Sequence, residues 1–163
     1  MTTPSHKKLP NSYYCFACGL ENDFGLKLAF YQEGNDTIVV DYVVPDHYQG
    51  YPGVVHGGIV TTMLDEVLGR VIMIDDPNRL MFTAKLTTRY RKPVPTETPL
   101  KLIGKVVKDR GRIAEAKAEL LGPDGTLLAE AEGLMVSLSQ DVLDNLDKEA
   151  LGWQVYPDEE EST

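Results

Sequence analysis

The stretch Gly57 to Ile74 constrains this chain more than any other. It is the one long helical candidate, and it is apolar at Ile59, Val60, Met63, Leu64, Val67, Leu68, Val71, Ile72, Met73 and Ile74. Those positions cover most of a helical circumference, so the spacing predicts a helix buried nearly all round. Asp75-Asp76-Pro77 ends it. A helix of that length spans about 27 Å at about 1.5 Å per residue. Covering it requires a sheet curved about its axis. One curved sheet covers only part of the helix surface, so the remainder is expected to meet a second subunit.

The flanking sequence supplies the sheet. Gly25 to Tyr31 alternates Leu26, Leu28 and Phe30 with Lys27, Ala29 and Tyr31 and reads as a strand. Thr37 to Val44 is β-branched and reads as a second strand, reached through the Gly34-Asn35 turn. After the helix come Met81 to Tyr90, Leu100 to Lys108, Arg112 to Leu121 and Thr126 to Ser139, all strand-like. Turn signals at Asp109-Arg110-Gly111 and Gly122-Pro123-Asp124-Gly125 make hairpins of the last three. In Arg112 to Leu121, Ala114, Ala116, Ala118 and Leu120 alternate with Glu115, Lys117 and Glu119, which predicts one buried face. The expected class is α+β, a long central helix wrapped by a curved antiparallel β-sheet. Residues 15–140 are expected to form that domain. Residues 1–14 read as a loose polar segment, and 141–163 as a short helix over 141–147 with an acidic tail at Asp158 to Glu161.

A chain of 163 residues holds one ordinary domain. No apolar run approaches the ~18 residues of a membrane span. Met1 to Pro10 has no apolar stretch, so no signal peptide is expected and the expected compartment is cytoplasmic. Two cysteines exclude a disulfide-rich scaffold. The formal charge of −9 argues against nucleic acid as a partner, but residues 141–163 alone contribute −7. Arg79 to Lys117 carries eleven basic residues against three acidic ones. That stretch serves as solvated strand faces. It also suits a small phosphorylated ligand met by some of Arg89, Arg91, Lys92, Arg110 and Arg112.

The chemistry concentrates at the start of the long helix. His56-Gly57-Gly58 lies where loop becomes helix. First-turn N–H groups have no internal partner, and glycines let a ligand approach them, which suits a carbonyl oxygen becoming an oxyanion. The same glycines equally serve a plain tight turn. His56 is read as a brace for that turn through a backbone hydrogen bond, with general base as the alternative. Two turns on, Glu66 has Arg70 at i+4, an ordinary ion pair. Asp65 has no cation on its own face, and a carboxylate within an apolar helix is costly unless satisfied. Asp65 is therefore the functional acid, with a hydrogen bond to Thr61 or to a neighbouring strand as the structural alternative. Thr61, Asp65 and Gly69 form a narrow polar or small stripe fit to line a cleft. Tyr48, Tyr51, Pro52 and Val54 could wall an apolar pocket. Cys15-x-x-Cys18 is half a zinc site without a second CxxC, so free thiols in a packed turn, no metal and no cofactor are expected.

The run VVHGGIVTTMLDEVLG (Val54 to Gly69) resembles the signature of hotdog-fold acyl-CoA thioesterases of the phenylacetic-acid-pathway and mitochondrial types. CFACGLENDFGLKLAF (Cys15 to Phe30) and TAKLTTRYRKPVP (Thr83 to Pro95) resemble the same family, over roughly residues 15–138. The resemblance implies the hotdog fold, a homodimer or homotetramer with the site between protomers, and hydrolysis of an acyl-CoA substrate. It implies Gly58 as the N–H that polarises the thioester, and Asp65 as nucleophile or general base. It also implies His56 as the loop brace and Thr83 as a water-orienting hydroxyl. Gln49 is the candidate for the amide that some members aim at the thioester. Gln49, Gly57, Thr61, Glu66, Arg89 and Arg91 make up the expected substrate-binding set. A hydratase or dehydratase on the same fold, or an acyl-CoA-binding module without catalysis, stay as alternatives.

Overall fold

The computed structural model describes residues 6–158. Its sheet consists of β1 (Lys7–Lys8), β2 (Tyr31–Glu33), β3 (Thr37–Val43), β4 (Met81–Tyr90), β5 (Pro99–Asp109), β6 (Ile113–Leu121) and β7 (Leu127–Ser137). Between β3 and β4 runs α1 (Gly57–Val71), and α2 (Gln140–Asp144) and α3 (Lys148–Leu151) close the chain. The strand order is β1-β2-β3-β5-β6-β7-β4, antiparallel at every pairing. α1 lies across one face of the sheet and touches β3 to β7.

The seat of α1 explains the composition of the sheet. Val60, Met63, Leu64, Val67, Leu68 and Val71 of the helix are fully buried. Each such side chain contributes about 1.5–3 kcal/mol on leaving water. The strands facing them present small residues. Ala114, Ala116 and Ala118 of β6 and Ala129 and Ala131 of β7 are all buried. At Gly104 of β5 an added Cβ would lie 2.5 Å from Val67 Cγ1, and at Gly133 of β7 it would lie 2.8 Å from Leu68 Cδ1. Beneath the middle of the helix the sheet is thus a shallow floor, while Ile38, Val40, Leu102, Leu120 and Met135 supply strand bulk to the rest of the core.

Several boundaries differ from the sequence reading. The helix ends at Val71, and Ile72, Met73 and Ile74 are buried in the turn that follows. The strand expected over Gly25 to Tyr31 is regular only from Tyr31. Lys27 has φ +54°, which interrupts the pleat. The alternation still reports burial correctly, since Leu26, Leu28 and Phe30 are all in the core. Their backbone pairs with the preceding turn, Leu26 N–H donating to Phe16 O and Leu28 N–H to Ala17 O. The single helix expected over 141–147 is replaced by α2 and α3, each started by an acceptor side chain, Ser139 and Asp147.

The part of the 1–14 segment that is described is packed, not loose. Leu9, Asn11 and Ser12 are buried, and β1 pairs with β2. Its polarity is deceptive because Asn11 Nδ2 donates to Cys18 O at 2.9 Å and Leu28 O at 2.8 Å, tying two loops together. Of the acidic tail only Asp158 is described; it pairs with Lys8 Nζ at 2.7 Å and accepts from Tyr31 Oη at 2.6 Å. The rest of that tail and residues 1–5 lie outside the described residues.

Gly104→Ala is expected to destabilise the fold by about 1–3 kcal/mol, because the methyl group must displace Val67 from its seat. Urea unfolding followed by far-ultraviolet dichroism checks this; an unchanged midpoint would mean the floor is more yielding than its geometry.

Candidate active site

Gly57, Thr61 and Asp65 are spaced by four, so they line one stripe of α1. That stripe runs beside β4, the edge strand of the sheet. Thr83 Oγ1 donates to Asp65 Oδ1 at 2.6 Å. One turn back, Thr61 Oγ1 lies 2.5 Å from Tyr90 Oη and 3.4 Å from Thr88 Oγ1. Tyr90 Oη also donates to the Gly57 carbonyl at 2.8 Å. The seam between helix and strand is therefore polar along its length, although both elements bury apolar side chains elsewhere.

A β-bulge makes this seam possible. The pairing of β4 with β7 slips between Thr83 and Lys85, leaving Ala84 as the extra residue. Before the bulge, Met81 and Thr83 are half-buried; after it, Leu86 and Thr88 are. The extra residue reverses the alternation, so Thr83 and Thr88 both reach the helix. Plain alternation would put one of them on the outer face.

At the start of α1, His56 is the N-cap. Its Nδ1 accepts from Gly58 N–H at 2.9 Å, while its carbonyl accepts from Ile59 and Val60 N–H. An accepting Nδ1 leaves the proton on Nε2. The brace reading of His56 therefore has a specific form, with the side chain holding the first turn. Gly58 N–H is taken by that cap. Gly57 N–H has no hydrogen-bond partner among the described residues. Gly57 lines a cleft of about 350 Å³ together with Tyr51, Val54, Tyr90, Arg91 and Lys92 among others.

Residues 52–129, which hold the cap, the helix, β4 to β6 and the start of β7, match the family model of the thioesterase superfamily. This chain carries a thioesterase-superfamily domain over those residues. It is 30% identical to the acyl-coenzyme A thioesterase THEM4 of Rattus norvegicus over 128 residues, covering 77% of this chain and 54% of that protein. The chain spans about half the length of the curated relatives it matches. Among solved structures, the thioesterase superfamily protein RHA08564 superposes with a TM-score of 0.69 at 31% identity, over 75% of this chain and 59% of that one. A hypothetical thioesterase protein with coenzyme A from Streptococcus pneumoniae TIGR4 superposes with a TM-score of 0.62 at 19% identity. It covers 69% of this chain and 87% of its own, and supports the fold. The long helix on a curved antiparallel sheet is the hotdog fold of that superfamily.

Other residues singled out from the sequence fall in three places. Arg91 is at the cleft, partly engaged with Glu130 at 3.2 Å, and Lys92 joins it. Arg89 is exposed and, by strand alternation, lies on the face of β4 opposite Thr88. Gln49 is exposed, bridged to Val55 in the loop that leads to His56. Glu66, one of the expected substrate-binding set, is already engaged by a neighbour. It is turned toward Arg70, whose Nε and Nη2 donate to Glu66 Oε1 at 3.1 and 3.0 Å, as the i+4 spacing predicted. Arg70 is 2% exposed, sandwiched between Phe30 and Trp153, and donates Nη1 to Pro10 O.

Glu66 also meets the two cysteines, since one carboxylate oxygen and both Sγ atoms lie within 4.8 Å of one another. Interaction between the neighbouring thiols holds the Cys15 thiol below its usual range and pushes Cys18 up, and burial adds to the rise at Cys18. Tyr90, Thr88 and this Cys–Glu grouping were missed in the sequence. Only the bulge, or a contact between residues some fifty apart, could have revealed them.

His56→Ala is expected to cost about 0.5–2 kcal/mol through loss of the N-cap, with His56→Asn restoring most of it. Denaturant unfolding of the pair checks the role; equal losses in both would place the contribution of His56 elsewhere.

Proposed function

We propose that this chain hydrolyses an acyl-CoA thioester to the free acid and coenzyme A. The observation that carries this is the pairing of a strand-braced carboxylate, Asp65, with an unpartnered helix N-terminal N–H at Gly57. Thioester hydrolysis passes through a tetrahedral oxyanion, which needs a donor aimed at the oxygen and an acid or base at the carbonyl carbon. Because His56 holds the Gly58 N–H, the oxyanion donor is assigned to Gly57. Tyr90, on the Gly57 carbonyl, fixes the plane of the following peptide. Asp65 acts as nucleophile or as general base on water, and Thr83 orients it. Arg91 and Lys92 at the mouth of the cleft suit the phosphates of coenzyme A.

Distance makes this a two-protomer site. Gly57 and Asp65 are eight residues apart on one helix, about 12 Å along its axis at about 1.5 Å per residue. A reacting carbonyl needs both within about 3 Å. One protomer therefore cannot complete the site, and a two-fold dimer that sets two helices antiparallel brings each Gly57 to the other Asp65. The edge of β4, unpaired on its outer side among the described residues, is the natural seam for that contact. Use of His56 as a cap, with Nδ1 occupied, speaks against the hydratase alternative.

Asp65→Asn is expected to lower turnover of a broad acyl-CoA panel by at least about 10²-fold with the fold intact, whereas Glu66→Gln keeps most of it. A thiol-release assay across chain lengths and aryl groups checks both; equal damage from the two variants would overturn the assignment of the acid.

Gly57→Pro isolates the N–H. Proline is accepted at the first helical position, and His56 with ψ 134° is already extended as a residue before proline must be. Turnover should fall about 10²–10³-fold. Mixing Gly57→Pro with Asp65→Asn by reversible unfolding should restore about a quarter of wild-type activity. Half of the dimers are then mixed, and each has one intact site. No recovery in demonstrably mixed dimers would refute the shared site.

A further inference from the structure

We infer that Cys15, Cys18 and Glu66 bind one thiophilic divalent cation, zinc in the first instance, on the side of α1 away from Asp65. The sequence reading dismissed this CxxC for want of a second pair. The fold supplies the missing ligand from the helix, since one carboxylate oxygen of Glu66 and both sulfur atoms lie within 4.8 Å of one another. Two thiolates and a carboxylate select zinc over magnesium or calcium, which prefer all-oxygen sites. Cys18 and Glu66 are buried and half-buried, and Cys15 is exposed, so a fourth tetrahedral position faces water.

The surroundings are built to hold these ligands. Gly19 N–H donates to Cys15 O at 2.7 Å, closing a tight C-x-x-C-G turn. An added Cβ at Gly19 would lie 2.5 Å from Cys15 O and 2.6 Å from Cys15 N, so only glycine permits that turn. Ser12 Oγ accepts from Cys15 N–H at 3.2 Å and lies 3.4 Å from Cys18 Sγ. Asn11 holds the Cys18 carbonyl. Arg70 binds Glu66 through Oε1 alone, which leaves Oε2 for a metal and fixes the carboxylate as outer-shell partners of metal ligands do. The charges close as well. Two thiolates and a carboxylate carry three negative charges, Arg70 offsets one, and a divalent cation offsets the other two. Bound there, the metal would pin the N-terminal turn to α1 without touching the Asp65 stripe.

The test uses the full chain, stripped with chelator and reduced with a phosphine so that no thiol reductant competes. Titration with Co²⁺ should develop thiolate-to-cobalt charge-transfer absorption that saturates at one equivalent and is displaced by Zn²⁺. Cys15→Ser, at an exposed position that leaves the core intact, and Cys18→Ser should each abolish it. Glu66→Gln should weaken binding by at least about tenfold. Asp65→Asn should bind as the unaltered chain does. Bound Zn²⁺ should also raise the melting temperature of the unaltered chain. Absence of the band at excess Co²⁺ would overturn the proposal, and so would a band that survives Cys15→Ser. These readouts do not involve thioester turnover, so they stand or fall independently of the proposed hydrolysis.

Discussion

The close seating of α1 on its sheet is the constraint from which the rest of the structure follows. A helix with bulky side chains on several faces can approach a sheet only where the sheet has almost none. Gly104 and Gly133, with the alanines of β6 and β7, provide that floor. The small size of these residues also sets how far α1 lies from the edge strand β4. Side chains as short as threonine then reach across the seam, and Thr83 meets Asp65 for this reason. A bulkier floor would lift the helix and leave Asp65 half-buried without its partner, a costly state for a carboxylate.

The helix is used on two sides for two purposes. One side carries Gly57, Thr61 and Asp65 against β4 and holds the groups suited to thioester chemistry. The other carries Glu66 and Arg70, and Arg70 gathers Pro10, Phe30 and Trp153. Arg70 stacks on Phe30 and Trp153 and donates to Pro10, so one guanidinium ties segments from both ends of the chain to the helix. Burying that charge is tolerable because Glu66 accepts from Nε and Nη2 while Nη1 finds the Pro10 carbonyl. Neighbouring acids in sequence, Asp65 and Glu66 thus sit in separate environments because consecutive helical residues are turned by about 100°.

Much of the fold was legible because it depends on local periodicity. The buried helix, the β5 to β7 hairpins and the inward alanines of β6 all follow from spacings within ten residues. The assignments that failed depended on something nonlocal. Residues 7–12 read as loose because Asn11 and Ser12 are polar, yet both are buried with hydrogen bonds to the turn at Cys18, and Asn11 also reaches Leu28. The alternation at Leu26, Leu28 and Phe30 gave the right burial and the wrong backbone, because Lys27 adopts a left-handed conformation that no pattern of hydrophobicity encodes.

For the candidate site the division is sharper. By itself the sequence determined that Asp65 and not Glu66 lacks a local cation, since i+4 spacing is a property of any helix. It also determined that His56 and two glycines open that helix, since their place at the loop boundary is a matter of order along the chain. Tertiary structure alone decided which glycine N–H is left unpartnered, because that depends on the rotamer by which His56 caps Gly58. It decided that Thr83 and Thr88 share a face, because one unpaired residue, Ala84, reverses the strand between them. And it brought Glu66 to Cys15 and Cys18, a meeting fixed by packing between segments that no local pattern links.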